Sequence, residues 1–505
     1  MATSVRDLMT SPPVTCDPET SLAEAAGTMH DHDIGSVIVT DGTKVTGIVT
    51  ERDLLRAAAG HADPLMEPVH LWMTANPDVL APDEEAGAAW TSLTHHHYRH
   101  LPVVEGGTLV GVVSIRDLLE VAQIRPANES GTEVPKGLEG VVVAETSVGD
   151  VRGLEGFYHY RQYSAVELAA HRSLEDVWQL LFDGQLPDRK SANAFASEVA
   201  TLRRLPDGLA SLLPALASSG APLDVLRTGV SLLGAELGWR PTHDIDGAEL
   251  RRQALHLCSV VPTLLTATHR LRNGQQPVTP RDDLSYAANY LWMLLGEEAP
   301  DEHVRAIEQY LILTIDHGFN ASTFTARVIT STGADLAAAV TGAVGALSGP
   351  LHGGAPSRAL DMLDDIATPD RAEAWVRGAI ERGDRIMGFG HRVYKTDDPR
   401  SVFLRGAART LGGPLVEFAE QVERTTVDVL TELKPGRQLY TNVEFFAGVV
   451  MHTCGIPRDM FTPTFASSRT IGWATQVMEQ AQDNRLIRPA ARYVGPPPPQ
   501  PVPAR

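Results

Sequence analysis

Through the C-terminal two thirds of the chain, apolar residues recur at i, i+3, i+4 spacing. The pattern runs through Leu174–Leu181, Ala192–Leu202, Leu223–Leu233, Glu249–Arg270, Leu284–Leu295 and Val304–Thr314. That period predicts helices burying one stripe each, and short Pro- and Gly-bearing breaks separate them. No βαβ rhythm interrupts the succession, which excludes a Rossmann fold or a TIM barrel and leaves a helical bundle. The first 120 or so residues follow another rhythm. Apolar positions alternate at Ser36–Val39 and Leu101–Val104, acidic-Gly turns follow at Asp41-Gly42 and Glu105-Gly106, and second apolar runs occupy Val45–Val49 and Leu109–Val113. Each set predicts a hairpin with a helix after it. Thr50 and Ser114 are placed to cap those helices, with Asp53 and Asp117 three residues on reaching back to the free amides.

The two sets are copies. Gly47-Ile-Val-Thr-Glu-Arg-Asp-Leu-Leu55 recurs as Gly111-Val-Val-Ser-Ile-Arg-Asp-Leu-Leu119, and Met9-Thr10 recurs as Met73-Thr74 at the same offset of 64 residues. Residues 1–121 are therefore expected to form a stacked pair, with repeats at about 1–60 and 65–121. Residues 122–136 are polar, carry two prolines and show no apolar face, as a linker does. From Gly137 an extended, Gly-punctuated segment leads into the helical part, expected to end at 494. Residues 495–505, G-P-P-P-P-Q-P-V-P-A-R, can join neither helix nor sheet and are expected to be a disordered tail.

Composition narrows the function classes. The net charge is −20 and the basic residues are scattered, which argues against a nucleic-acid partner, since phosphate neutralisation needs a coherent basic face. Cys16, Cys258 and Cys454 lie far apart, so neither a disulfide framework nor a thiolate metal site is expected, and the compartment is expected to be the cytoplasm. The N-terminus lacks an apolar signal core, and the weakly polar run Ala337–Leu347 is too short to span a bilayer, so no membrane role is expected. His95-His96-His97 with His100 suggests a metal, with His96 and His100 placed to share a helix face. No carboxylate or cysteine follows at a ligand spacing, and the run falls where helix gives way to hairpin, so no metal is assigned.

Candidate chemistry concentrates in two stretches. Met387–Arg400, M-G-F-G-H-R-V-Y-K-T-D-D-P-R, and Ser348–Leu360, S-G-P-L-H-G-G-A-P-S-R-A-L, each set one histidine, His391 or His352, among glycines and prolines, where backbone can approach a ligand closely. Lys395 and Arg400 lie within nine residues of His391, so fixed positive charge adjoins a neutral hydrogen-bonding group and an anionic substrate is implied. With T-N-V-E-F-F-A-G at Thr441–Gly448 and F-A-S-S-R-T-I-G-W at Phe465–Trp473, these stretches match the citrate synthase family in order and spacing, over roughly Gly137 to Gly495. The resemblance implies a mainly all-α, two-lobed domain, so the whole chain is expected to be multidomain, with an N-terminal α+β pair ahead of it.

The resemblance also implies an acyltransferase whose acyl group becomes an alkyl group, condensing acetyl-CoA with oxaloacetate and water to citrate and CoA in the tricarboxylic acid cycle, with no cofactor. Such a condensation needs a base, an enolate donor and a polariser of the ketone. By resemblance Glu444 is the base, His352 the enolate donor and His391 the ketone donor. His317, in D-H-G-F-N-A-S-T, joins His391, Arg400, Arg469 and Arg488 as oxaloacetate ligands, and Lys395 contacts coenzyme A phosphate. In the family the last arginine comes from the neighbouring subunit, which implies a homodimer. Two departures stand out: Glu444, where many members carry aspartate, and Gln162, where glycine is usual after Y-R. One methylene in the acyl group is worth only about 1–3 kcal/mol in a pocket, so 2-methylcitrate synthesis from propionyl-CoA stays open. The repeat resembles a tandem of CBS domains, in which Thr50 and Asp53, or Ser114 and Asp117, would hold the ribose of an adenine nucleotide acting as a regulator. A catalytically weakened nucleotide-sensing scaffold is the alternative from another class.

Overall fold

The computed structural model describes residues 4–60, 62–87, 89, 93, 98–114, 117, 134–138, 140–350, 352, 355–390, 394, 396–434, 439–491 and 494–495. The chain divides into two compact units, one of Met1–Val141 with Ala490–Arg505 and one of Val142–Pro489. Most of the 122–136 segment and of the Pro-rich tail lies outside the described residues.

In the first unit, β1 (Thr15–Cys16), β2 (Ser36–Asp41), β3 (Lys44–Thr50) and β4 (Thr74–Ala75) form one sheet in that order, and β5 (His100–Glu105) pairs with β6 (Thr108–Ser114) in another. Both predicted hairpins are present, in the same register: Val37 faces Val49 and Val39 faces Gly47, while Leu101 faces Val113 and Val103 faces Gly111. The buried side of the first hairpin, Val37, Val39 and Val49, packs against Leu22, Ala25 and Met29 of the helix Leu22–Asp31. The second hairpin builds a separate small core with Val5, Leu80 and Leu93. His100 begins β5, so it shares no helix face with His96, which lies outside the described residues, as do His95 and His97.

The two copies exchange their edges. Thr10, from the start of the first repeat, bridges Val112 of the second through paired hydrogen bonds of 2.9 and 3.1 Å, while Thr74, from the start of the second, pairs with Ile48 of the first. The methionines beside them explain a glycine in each repeat. A Cβ on Gly111 would lie 2.6 Å from the Met9 sulfur, and one on Gly47 would collide with Met73.

The second unit is mainly helical. The six periodic segments appear as helices Leu174–Asp183, Arg189–Thr201, Pro222–Glu236, Gly247–Arg272, Tyr286–Leu295 and Asp301–Thr314. Ten more are present among the described residues of this unit, among them Ala321–Ser331, Ala355–Ile366, Pro399–Leu411, Val443–Thr453 and Phe461–Gln482. The Gly-punctuated entry segment folds as a three-stranded antiparallel sheet, β7 (Gly149–Arg152), β8 (Phe157–Tyr160) and β9 (Tyr163–Ser164). Two buried tyrosines of β8 tie this sheet to the end of the helix Asp301–Thr314. Tyr158 donates to the Leu313 carbonyl at 3.1 Å, and Tyr160 lies 2.8 Å from Ile312 O and 3.2 Å from Asp316 O. The turn that carries His317 is thereby held from one side. From the other side comes the almost wholly buried helix Phe461–Gln482, whose Gly472 lets it approach the backbone carbonyl of Ile315 and the Cβ of Asp316. Among the described residues no helix is long and apolar enough to cross a membrane.

A Cβ at Gly472 would collide with the Ile315 carbonyl, which cannot swing aside as a side chain could. Gly472→Ala should therefore destabilise the catalytic unit by ~3 kcal/mol, the upper part of the overpacking range. Thermal unfolding measures it, and an unchanged midpoint would contradict this helix contact.

Candidate active site

His317 sits in the turn after the helix Asp301–Thr314, at D-H-G-F-N, where Gly318 has φ +63° and a Cβ would press on Val151. Its ring lies between two tyrosines, Tyr158 and Tyr394, with centroids 5.5 Å away in each case, and Nε2 is 3.0 Å from the Tyr394 hydroxyl. Three residues on, Asn320 caps the helix Ala321–Ser331, its Oδ1 accepting from the amides of Ser322 and Thr323. Capping turns the Ser322 hydroxyl inward, where it meets three groups. Asn320 Oδ1 is 2.8 Å away, Trp473 Nε1 donates to it at 3.1 Å, and His352 Nε2 is 2.8 Å away.

This hub determines what His352 can do. Burial, and then the positive charge of Arg469, push the imidazole pKa down to about 4, so the ring is neutral at physiological pH. Ser322 has one proton. Given to Asn320, it makes His352 Nε2–H the donor; given to His352 Nε2, it leaves Nδ1–H free to donate elsewhere. The second arrangement is the one an enolate donor requires.

Positive charge is supplied by two buried arginines. Arg400 opens the helix Pro399–Leu411, and Asp398, the capping residue before Pro399, grips it with Nε to Oδ1 at 3.0 Å and Nη2 to Oδ2 at 2.8 Å. Burial would pull the Arg400 pKa down, but the Asp398 carboxylate more than offsets this and holds it above the ordinary value. The guanidinium also stands over the rings of Tyr158 and Tyr394, 6.0 and 5.8 Å from their centroids. Arg469, on the helix Phe461–Gln482, donates from Nε to Thr314 O at 2.9 Å and lies 4.5 Å from the Phe465 centroid. Its pKa is lowered by burial, which Asp316 partly counters. Asp316 is itself wholly buried, and burial lifts its pKa to about 6 against the pull of Arg469.

Glu444 is the second residue of the helix Val443–Thr453. Its Oε2 is buried with no hydrogen-bond partner among the described residues, and burial raises the carboxyl pKa while Arg400 partly restrains it. A carboxylate with one unsatisfied oxygen and a raised pKa is suited to take a proton. Asp398 positions this helix too, since its Oδ2 accepts from Val443 N at 3.2 Å.

The structure thus brings His352, Arg400, Arg469 and Glu444 into one electrostatic neighbourhood, which His317 adjoins through Tyr158 and Tyr394, the two rings that also face Arg400. His391 and Lys395 lie outside the described residues. Arg488 is exposed and forms no hydrogen bond or ion pair with any described residue. Gln162 lies in the turn between β8 and β9, where Arg161 takes φ +50°. In the first unit, Asp53 accepts from Thr50 N at 2.9 Å and Thr50 Oγ1 at 2.7 Å and pairs with Arg56 at 3.0 Å, while Asp117 accepts from Ser114 N at 2.7 Å. Both pairs cap, as their spacing predicts. Among the described residues no cluster of three or more potential ligands is set to hold a metal. Sequence reasoning did not assign Ser322, Asp398 or Tyr394. All three lie inside the quoted motifs, and an aspartate directly before a helix-opening proline was a signal for Asp398.

Comparison with known proteins agrees with this geometry. Residues 137–490 match the family "Citrate synthase, C-terminal domain", and residues 5–60 and 69–123 match "CBS domain". The citrate synthase of Haloferax volcanii is 40% identical over 368 residues, covering 72% of this chain and 96% of that protein. A 2-methylcitrate synthase of Mycobacterium tuberculosis is 38% identical over 370 residues, 73% of this chain and 93% of its own length. Among solved structures, the Thermotoga maritima citrate synthase matches with TM-score 0.65 and 36% identity, over 74% of this chain and 98% of that one. The Thermoplasma acidophilum citrate synthase, solved with carboxymethyl coenzyme A and oxaloacetate, matches with TM-score 0.69 and 30% identity, over 74% and 99%. The chain belongs to the citrate synthase family, acyltransferases of the citrate and 2-methylcitrate synthase type, with a pair of CBS domains ahead of the catalytic domain.

Proposed function

We propose that the protein condenses acetyl-CoA with oxaloacetate and water to citrate and CoA in the cytoplasm, as the entry step of the tricarboxylic acid cycle. The observation that carries this reading is the neutral His352, fixed by Ser322 beside Arg469, in the same neighbourhood as a carboxylate with a free oxygen. Glu444 takes a proton from the acyl methyl group, and His352 donates to the enolate oxygen. A neutral donor suits this step, because an imidazolium would surrender its proton rather than share it. His391 polarises the ketone, while His317, Arg400 and Arg469 hold the keto diacid, with Arg488 contributed across a homodimer. Lys395 contacts CoA phosphate. The three cysteines are unpaired, in keeping with a reducing compartment.

A scaffold without catalysis is disfavoured by the buried cations, which cost desolvation and are retained beside an unsatisfied carboxylate. 2-Methylcitrate synthesis is favoured only by relatives of that name. Thiol release with oxaloacetate decides the acyl group: kcat/KM should be higher for acetyl-CoA than for propionyl-CoA, and the reverse order assigns the enzyme to 2-methylcitrate.

The pairs Thr50 and Asp53, and Ser114 and Asp117, hold the ribose of an adenine nucleotide that adjusts the apparent affinity for substrate. Coupling of this kind is worth about 1–3 kcal/mol, or roughly 5- to 150-fold. Asp53→Ala with Asp117→Ala should remove nucleotide binding measured by calorimetry and leave basal turnover intact. Each loss also removes a cap, so a fall in stability of ~1 kcal/mol per site is expected independently of any ligand.

At the catalytic centre, Glu444→Gln should abolish proton exchange from the acyl methyl group, seen by NMR in deuterated solvent, and Glu444→Asp should retain part of it. His391→Ala and His352→Ala should each lose turnover in the thiol-release assay and keep the wild-type circular dichroism spectrum. The His352 ring should not titrate between pH 5.5 and 8. Its folded pKa of about 4 lies below the ordinary value of 6.5, so its contribution is neutral above that value and increasingly destabilising as pH falls from 6.5 towards 4. A carbon chemical-shift titration of the ring, compared with His352→Ala, tests the sign.

A further inference from the structure

Tyr310 lies on the helix Asp301–Thr314, and its period and 1% exposure mark it as a core residue. Its hydroxyl does not fit that role. It is buried without a hydrogen-bond partner among the described residues, although buried phenols normally find one. Glu444 Oε2, on the facing helix Val443–Thr453, is also buried without one. After burial, the Glu444 charge is the largest influence raising the Tyr310 pKa, so the two groups share one weakly screened space. One is a donor lacking an acceptor and the other an acceptor lacking a donor.

We propose that Tyr310 is a positioning residue for the base, its hydroxyl holding Glu444 Oε2 through one bridging water. This rests on the assignment of Glu444 as the base. A bridging water of this kind accepts from the phenol and donates to the carboxylate, which restrains the carboxylate and favours its ionised form. The other groups around the pair have work elsewhere. Arg400 is gripped by Asp398, and Arg469 is anchored on Thr314 O. Arg405 and Thr441 both bond to Glu423, and Asp361 and Asp364 on the helix Ala355–Ile366 are exposed and paired with Arg458. Among the described residues Ser401 and Thr426 also bury hydroxyls without a partner, and Tyr310 is the neutral donor whose helix faces that of Glu444 and on which the Glu444 charge acts.

Tyr310→Phe removes the hydroxyl alone, and full-length enzyme of this variant is compared with wild type and Glu444→Gln. Losing one hydrogen bond to a charged group should lower kcat roughly tenfold. KM for oxaloacetate should stay near the wild-type value. Because the bond favours the ionised carboxylate, its loss raises the pKa of the base, so the acid limb of the kcat profile moves to higher pH by about one unit. The unfolding midpoint should stay near the wild-type value, since the ring keeps its packing and one water-mediated hydrogen bond is all that is lost. A wild-type kcat and acid limb, or a loss of kcat with lowered midpoint and unmoved limb, overturns the positioning role. If Glu444→Gln retains methyl-proton exchange, the base assignment fails instead, whatever Tyr310→Phe does.

Discussion

The catalytic unit depends most on a single buried carboxylate. Asp398 caps the helix Pro399–Leu411, grips the Arg400 guanidinium with both oxygens and accepts the first amide of the helix Val443–Thr453. A guanidinium with 4% of its side chain exposed would be intolerable alone, and removing one partner of such a pair typically costs about 3–5 kcal/mol. With Asp398 in place, the cation is kept charged and aimed, and the helix carrying Glu444 starts at a set distance from it. The proposed substrate anchor and the proposed base are thus coupled through one side chain, which is how a site reaches the sub-ångström placement that condensation chemistry requires.

Around that anchor the structure uses two means of bringing backbone close. Gly472 lets the most buried helix touch the turn before His317, and the two tyrosines of β8 press on the same turn from the sheet. His317 therefore owes its position to residues more than 150 positions away in each direction. Arg469, three residues from Gly472, is carried to Thr314 by the same close approach.

That long reach explains what was legible in the sequence. Periodicity located the hairpins and six of the helices, because burial of one face is a local property of spacing. Glycine-rich turns located His352, because backbone freedom is written in residue type. Tyr310 was not legible: it occupies a core position of a helix, and that its hydroxyl meets no partner among the described residues shows only in the packed structure. Ser322 was visible as a letter in a motif but not as the group that meets His352, Trp473 and Asn320 together, since those contacts join three distant segments. The capping geometry of Thr50 with Asp53 and of Ser114 with Asp117 was legible in full, being confined to four consecutive residues.

The crossed edges of the N-terminal repeat bear on how that region comes into being. Thr10 meets Val112 across about a hundred residues and Thr74 meets Ile48, so each hairpin is extended at one edge by backbone from the other repeat. The two copies lend each other an edge, so each completes part of the other's sheet. Contacts of such sequence separation slow folding, and they couple the two hairpins, since loss of either borrowed edge leaves backbone groups of the other copy unpaired.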